Sequence, residues 1–172
     1  MESWISGAAA ALLLLAAFIS DIRAMRIPNV LTASFFVAGC CYHLFAGGIN
    51  GGYHSLLGAL AGFLPLLAIY ALKGIGAGDV KLFGALGAWI GAAAVVQVMM
   101  YAILYAGAAG AVLLFFHSKL GRRMKAWLYS LLVPNVWSKR ESFKELAAEG
   151  LRFPFMLAVA PGALTFWLII GL

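Results

Sequence analysis

The chain has 172 residues, 65% of them hydrophobic and 10% charged, with a formal net charge of +6 and a mean hydropathy of +1.00. A soluble domain averages about 45–50% apolar and about 25% charged residues. The composition therefore excludes a water-soluble globule and specifies one membrane-embedded domain over residues 1–172.

A helical span needs about 20 apolar residues, and the chain offers several. The first runs roughly from 4 to 21. Its only early charge is Glu2, and it ends in Asp21 and Arg23 instead of a small-residue cleavage site, so it reads as a retained span and not a signal peptide. A short loop, Ile22 to Pro28, carries Arg23 and Arg26, and Pro28-Asn29 is helix-start chemistry. The second segment, roughly 29–46, runs into an uncharged turn, Gly47 to Gly52. The third, roughly 53–72, contains Pro65, which is expected to bend it mildly.

Next comes Lys73-Gly74-Ile75-Gly76-Ala77-Gly78-Asp79-Val80-Lys81, where glycines loosen the backbone just ahead of an acid. Residues 80–116 are then apolar for 37 positions, enough for two spans with a tight turn within Ile90–Gln97. Residues 117–152 form a polar, basic loop. In it Ser142-Phe143-Lys144-Glu145 has capping-box spacing, which predicts a short helix over about 143–150. Glu141, Glu145 and Glu149 then form an i, i+4 stripe, whose plain reading is a solvated helix face. Residues 153–172, with Pro154 near their start, make the last span.

The expected fold is thus an all-α polytopic membrane protein with six transmembrane helices. Gly58, Gly62, Gly84, Gly87, Gly107 and Gly110 suit close helix packing. Cys40 and Cys41 are adjacent, are expected to be buried as small hydrophobes, and form no C-x-x-C pair. His43, His54 and His117 lack ligand spacing, so neither a metal nor any other cofactor is expected.

All 12 basic residues fall in three segments: the first loop, the flanks of the glycine stretch and the long loop. Six helices put those segments on one face. The positive-inside rule makes that face cytoplasmic and both termini external. The same placement explains the positive charge without nucleic acid, and lets the long loop lean on anionic lipid head groups.

The topology also matches two acids in depth. Asp21 closes the first helix as it reaches the cytoplasm, and Asp79 opens the fourth as it leaves. Two close carboxyl groups share one proton, so one can act as base on a water while the other, protonated, polarises a carbonyl. Gly76 and Gly78 would let a substrate backbone come close.

Asp21 to Asn29, an aspartate followed by a short basic loop and Ile-Pro-Asn, resembles the first catalytic segment of the type IV prepilin peptidases. Gly76-Ala77-Gly78-Asp79-Val80-Lys81-Leu82 is similar to their G-x-G-D-x-K-L segment. Arg152 to Ala158 is a looser match to the Pro-containing motif that opens their last helix. The resemblance implies an aspartic endopeptidase of the cytoplasmic (inner) membrane with Asp21 and Asp79 as its catalytic pair. Its substrates would be pilin-like precursors, cut at the cytoplasmic border to remove a short basic leader. The chain looks like the short subgroup serving Flp-type, tight-adherence pili. The larger members' paired C-x-x-C motifs are not in this sequence, so methyl transfer is not expected.

Two rival readings use the same acids. A presenilin-type protease carries Tyr-Asp at its first aspartate, whereas Ser20 precedes Asp21. A proton- or cation-coupled transporter usually holds such acids at mid-membrane within paired repeats, and no repeat is visible. The glutamate stripe could also attract a basic leader across an otherwise repelling face.

Overall fold

The computed structural model describes residues 3–71, 75–116 and 156–170. The segment 117–152, the short helix expected over 143–150 and the glutamate stripe lie outside them. All the regular structure described is helical: α1 (Ser3–Ala24), α2 (Asn29–Ala71), α3 (Ala77–Phe116) and α4 (Met156–Ile170), the last closing the described chain. Trp4–Ala24, Asn29–Ala71 and Ala77–Val112 are long and apolar enough to cross a membrane, and Met156–Ile169 is a shorter apolar helix. Large side chains such as Trp4, Val30, Phe45 and Leu168 point outward, as a surface facing lipid requires. By compactness, residues 1–106 and 154–172 form one unit and 107–153 a second, of which only the end of α3 is described.

As single rods, α2 and α3 would be about 65 and 60 Å long, twice a bilayer's hydrocarbon thickness of about 30 Å. Each instead leaves helical geometry at one glycine. Gly48 has φ 58° and ψ −149°, and Gly91 has φ 79° and ψ 173°. Both lie in the left-handed half of backbone space that side chains disfavour. The turn expected over Gly47–Gly52 thus narrows to Gly48, and the one expected within Ile90–Gln97 falls at Gly91. The chain doubles back at both. A Cβ on Gly51 would overlap the carbonyl of His43, and one on Gly62 would meet both Phe83 and Val95. Inside α2 only Gly48 departs from helical φ/ψ, so Pro65 is accommodated within its arm.

The first arm of α3, residues 77–90, is the central rod. Leu82, Phe83, Ala85, Leu86, Ala88 and Trp89 are all buried, and a helix that is apolar all round belongs in the interior. Around it pack Leu13 and Ala17 of α1, Leu66 of α2, and Met156, Val159 and Phe166 of α4. The second arm of α2 crosses the rod backbone to backbone. A Cβ on Gly58 would overlap the carbonyl of Gly87, one on Gly87 that of Gly58, and one on Gly62 that of Phe83. Small residues at four-residue spacing allow such an approach, and packing then holds helices together where lipid supplies no hydrophobic drive. A Cβ on Gly84 would make only ordinary contacts, with the Phe63 side chain and the Ala59 carbonyl, while among the described residues nothing stands within 4 Å of one on Gly107 or Gly110. Cys41 is exposed and only Cys40 is partly buried, because consecutive helical positions cannot share one buried face.

The break at Gly91 strips carbonyls of the preceding turn of their helical partners. Two side chains from α2 supply replacements. Ser55 Oγ donates to the Ala88 carbonyl at 2.9 Å, and His43 Nε2 lies 3.1 Å from the Trp89 carbonyl. Since a carbonyl only accepts, His43 carries its proton on Nε2. The Trp89 indole reaches back to the Phe35 carbonyl at 2.8 Å, with Tyr42 stacked on it. His43 and His54, scattered in sequence, become neighbours here. Among the described residues no group of three potential metal ligands forms.

Candidate active site

Asp79 belongs to the first turn of the central rod. Gly76 takes the N-cap position, and its N–H donates to Asp79 Oδ2 at 3.2 Å. This is the returning half of a capping box, in which the third helical residue reaches back to the cap. The site glycines are therefore spoken for by the chain itself. A Cβ on Gly76 would stand 3.1 Å from Asp79 Oδ2, and one on Gly78 would stand 3.3 Å from Ile27 Cβ. The glycines admit the carboxylate and the loop before α2.

Asp21 lies in the last turn of α1, where the helix dipole opposes negative charge. Its backbone anchors the helix end, since the Met25 N–H donates to the Asp21 carbonyl at 2.8 Å. Met25 has φ 48°, and the pair forms an αL C-cap. A non-glycine residue there costs about 1–2 kcal/mol. Met25→Gly should accordingly raise stability by about 1 kcal/mol, read as a higher unfolding midpoint of the purified protein in detergent. An unchanged or lower midpoint would show that this cap is not strained.

The Asp21 side chain has a partner from the far end of the chain. The Met156 N–H, at the start of α4, donates to Asp21 Oδ2 at 3.2 Å. Asp21 thus caps a helix that begins 135 residues later, and that helix's positive end offsets the unfavourable end of its own. Among the described residues neither Arg23 nor Arg26 pairs with it, and both are exposed.

Both acids are buried at helix ends, Asp21 being 7% exposed and Asp79 8%. Each commits Oδ2 to one backbone N–H. Among the described residues, the second oxygen of each carboxylate accepts no hydrogen bond. Lys81 is turned elsewhere, with Nζ donating to Asn29 Oδ1 at 2.9 Å. Glu141, Glu145 and Glu149 lie outside the described residues, as does Arg152 to Phe155 of the last motif. Reading the sequence did not single out Met156. The one hint was the Pro-containing motif at the opening of the last helix.

A model of the type IV leader peptidase family matches residues 8–115. A prepilin leader peptidase/N-methyltransferase of Burkholderia pseudomallei (strain 1026b) is 37% identical over 113 residues, which are 62% of this chain and 36% of the relative. Relatives of the same name are 34% identical over 101 residues in Bacillus subtilis (strain 168), covering 58% of this chain and 40% of the relative, and 36% identical over 78 residues in Aeromonas hydrophila, covering 41% and 27%. The chain spans little more than a third of the length of the first of these. No solved structure matches significantly.

Proposed function

Since the chain belongs to the type IV leader peptidase family, we propose that it removes the short basic leader from pilin-like precursors, with Asp21 and Asp79 as an aspartic catalytic pair. One observation carries the reading. Two buried carboxylates from helices far apart in sequence are each held through one oxygen by a backbone N–H, and among the described residues the other oxygen of each accepts no hydrogen bond. One carboxylate takes a proton from water, and the resulting hydroxyl attacks the scissile carbonyl. The other, protonated, donates to that carbonyl's oxygen. The tetrahedral adduct then collapses as its C–N bond breaks and a carboxyl proton passes to the leaving amine. The backbone N–H groups of Met156 and Gly76 hold the acids in place throughout.

Six spans with both termini external, read from the apolar runs and the placement of the basic residues, belong to the same proposal and would put the pair at the cytoplasmic border of the inner membrane. There the leader's basic residues would stay in water while the precursor's apolar segment lies against the bundle. The proposal is confined to the peptidase half of the relatives' name. Purified protein in liposomes should cut a precursor with a short basic leader ahead of a long apolar helix. Proton-coupled flux without cleavage would instead make the chain a transporter.

We further propose that Glu141, Glu145 and Glu149 gather the basic leader. Reversing all three charges should slow cleavage about tenfold at low salt and much less at 0.5 M, since screening shortens the reach of exposed charges. Equal rates at low salt would leave the stripe a solvated face.

A further inference from the structure

A furrow of about 360 Å³ opens on the outer surface between the two arms of α2 and the first arm of α3. Buried Ala59 and Gly84 make its floor, and the half-buried rings of Phe36 and Phe63 its walls. One end is polar. Lys81 and Asn29, each in the first turns of its helix, meet there through their 2.9 Å hydrogen bond. That bond uses one of three lysine donors, and its acceptor is uncharged. Among the described residues no carboxylate pairs with Lys81, so a positive charge stands at the mouth of an otherwise apolar slot.

We propose that this furrow seats an acyl chain of an anionic phospholipid, with the lipid phosphate on Lys81. Charge complementarity selects the head group, because a lone ammonium at the end of an apolar slot suits an anion attached to an apolar chain. Width selects the tail. The volume is at the low end of ligand sites, about 300–1,000 Å³, and too small for a helix about 10–12 Å across. Position separates the furrow from the acid pair. Successive residues turn about 100° around a helix, so Lys81 points about 200° away from Asp79 and out of the core that surrounds the carboxylates. A precursor cut at Asp79 would therefore pass on another face of the central rod. Helix starts also lie where bilayer head groups stand, which matches the depth of a phosphate. The inference does not depend on the peptidase reading.

Native mass spectrometry of the full chain, purified in detergent, tests it with two probes: dioleoylphosphatidylglycerol and dioleoylphosphatidylcholine. The wild-type chain should retain one phosphatidylglycerol about fivefold better than phosphatidylcholine, the factor one lysine supplies near an anionic surface. Lys81→Gln should erase that preference and Lys81→Arg should keep it. Ala33→Trp, which fills the slot from an exposed position, should lower retention of both lipids. Equal retention by the wild-type chain, or an undiminished preference in Lys81→Gln, overturns the proposal. So does displacement of the lipid by a peptide bearing a precursor's apolar segment, or a dimer mass that forms as lipid leaves. Those two results would assign the furrow to the precursor or to a second copy.

Discussion

Asp21→Asn and Asp79→Asn should each lower leader cleavage by at least about 10²–10⁴-fold, the range for loss of a general acid or base, while leaving the amount of folded protein unchanged. The substitution separates the capping role of these side chains from the catalytic role proposed for them. An asparagine oxygen can still accept the Met156 N–H at position 21 or the Gly76 N–H at position 79, so both caps survive. It can neither take a proton from water nor share one with its neighbour. Alanine loses cap and chemistry together and should also destabilise the protein by about 1 kcal/mol. Processing of a precursor in cells, followed beside the protein's own level, provides the measurement. Normal cleavage by either asparagine variant would remove the catalytic pair and leave the acids as caps.

Gly87→Ala should destabilise the bundle by about 1–3 kcal/mol, the usual penalty of overpacking, whereas Gly84→Ala should be neutral or stabilising by up to about 1 kcal/mol. The two glycines lie one turn apart on the same rod. A methyl on Gly87 would overlap the Gly58 carbonyl, a backbone atom that cannot swing aside. A methyl on Gly84 would lie 3.4 Å from the Phe63 ring, an ordinary contact. The same displacement should reach the acids. The rod that Gly87 locks against α2 carries Asp79 at its start, and Asp21 belongs to another helix. A shift of about 1 Å at a reacting group can cost about 10²-fold in rate. Unfolding midpoints in detergent and cleavage rates should fall together for Gly87→Ala and stay near wild type for Gly84→Ala. Equal midpoints for the two variants would mean that the crossing tolerates separation.

Much of this was legible in the residue string because it rests on local chemistry. Apolar runs specified helices, since backbone groups in lipid must be satisfied within a segment. The breaks fell at Gly48, within the glycine-rich turn, and at Gly91, within the stretch where the length of the apolar run required a turn; both are glycines because only glycine adopts their φ without a steric penalty. Asp79 was conspicuous as an acid heading an apolar run, and its bond to Gly76 spans only three residues.

What the string could not carry were meetings between groups distant along it. Neither periodicity nor spacing announces that the N–H of Met156 ends on Asp21, because that depends on where α4 arrives. Nor does it announce that Ser55 and His43 serve the carbonyls beside Gly91, since those carbonyls become needy only once the helix breaks. Nor does it announce that a side chain on Gly76 would meet Asp79 and one on Gly78 would meet Ile27. The sequence by itself determined the helices, the glycine breaks and which acids stand at helix ends. Only the tertiary structure decided the bond partners of Asp21 and the direction of Lys81, because hydrogen bonds and close packing reward proximity in space, and remote contacts leave no period in a sequence.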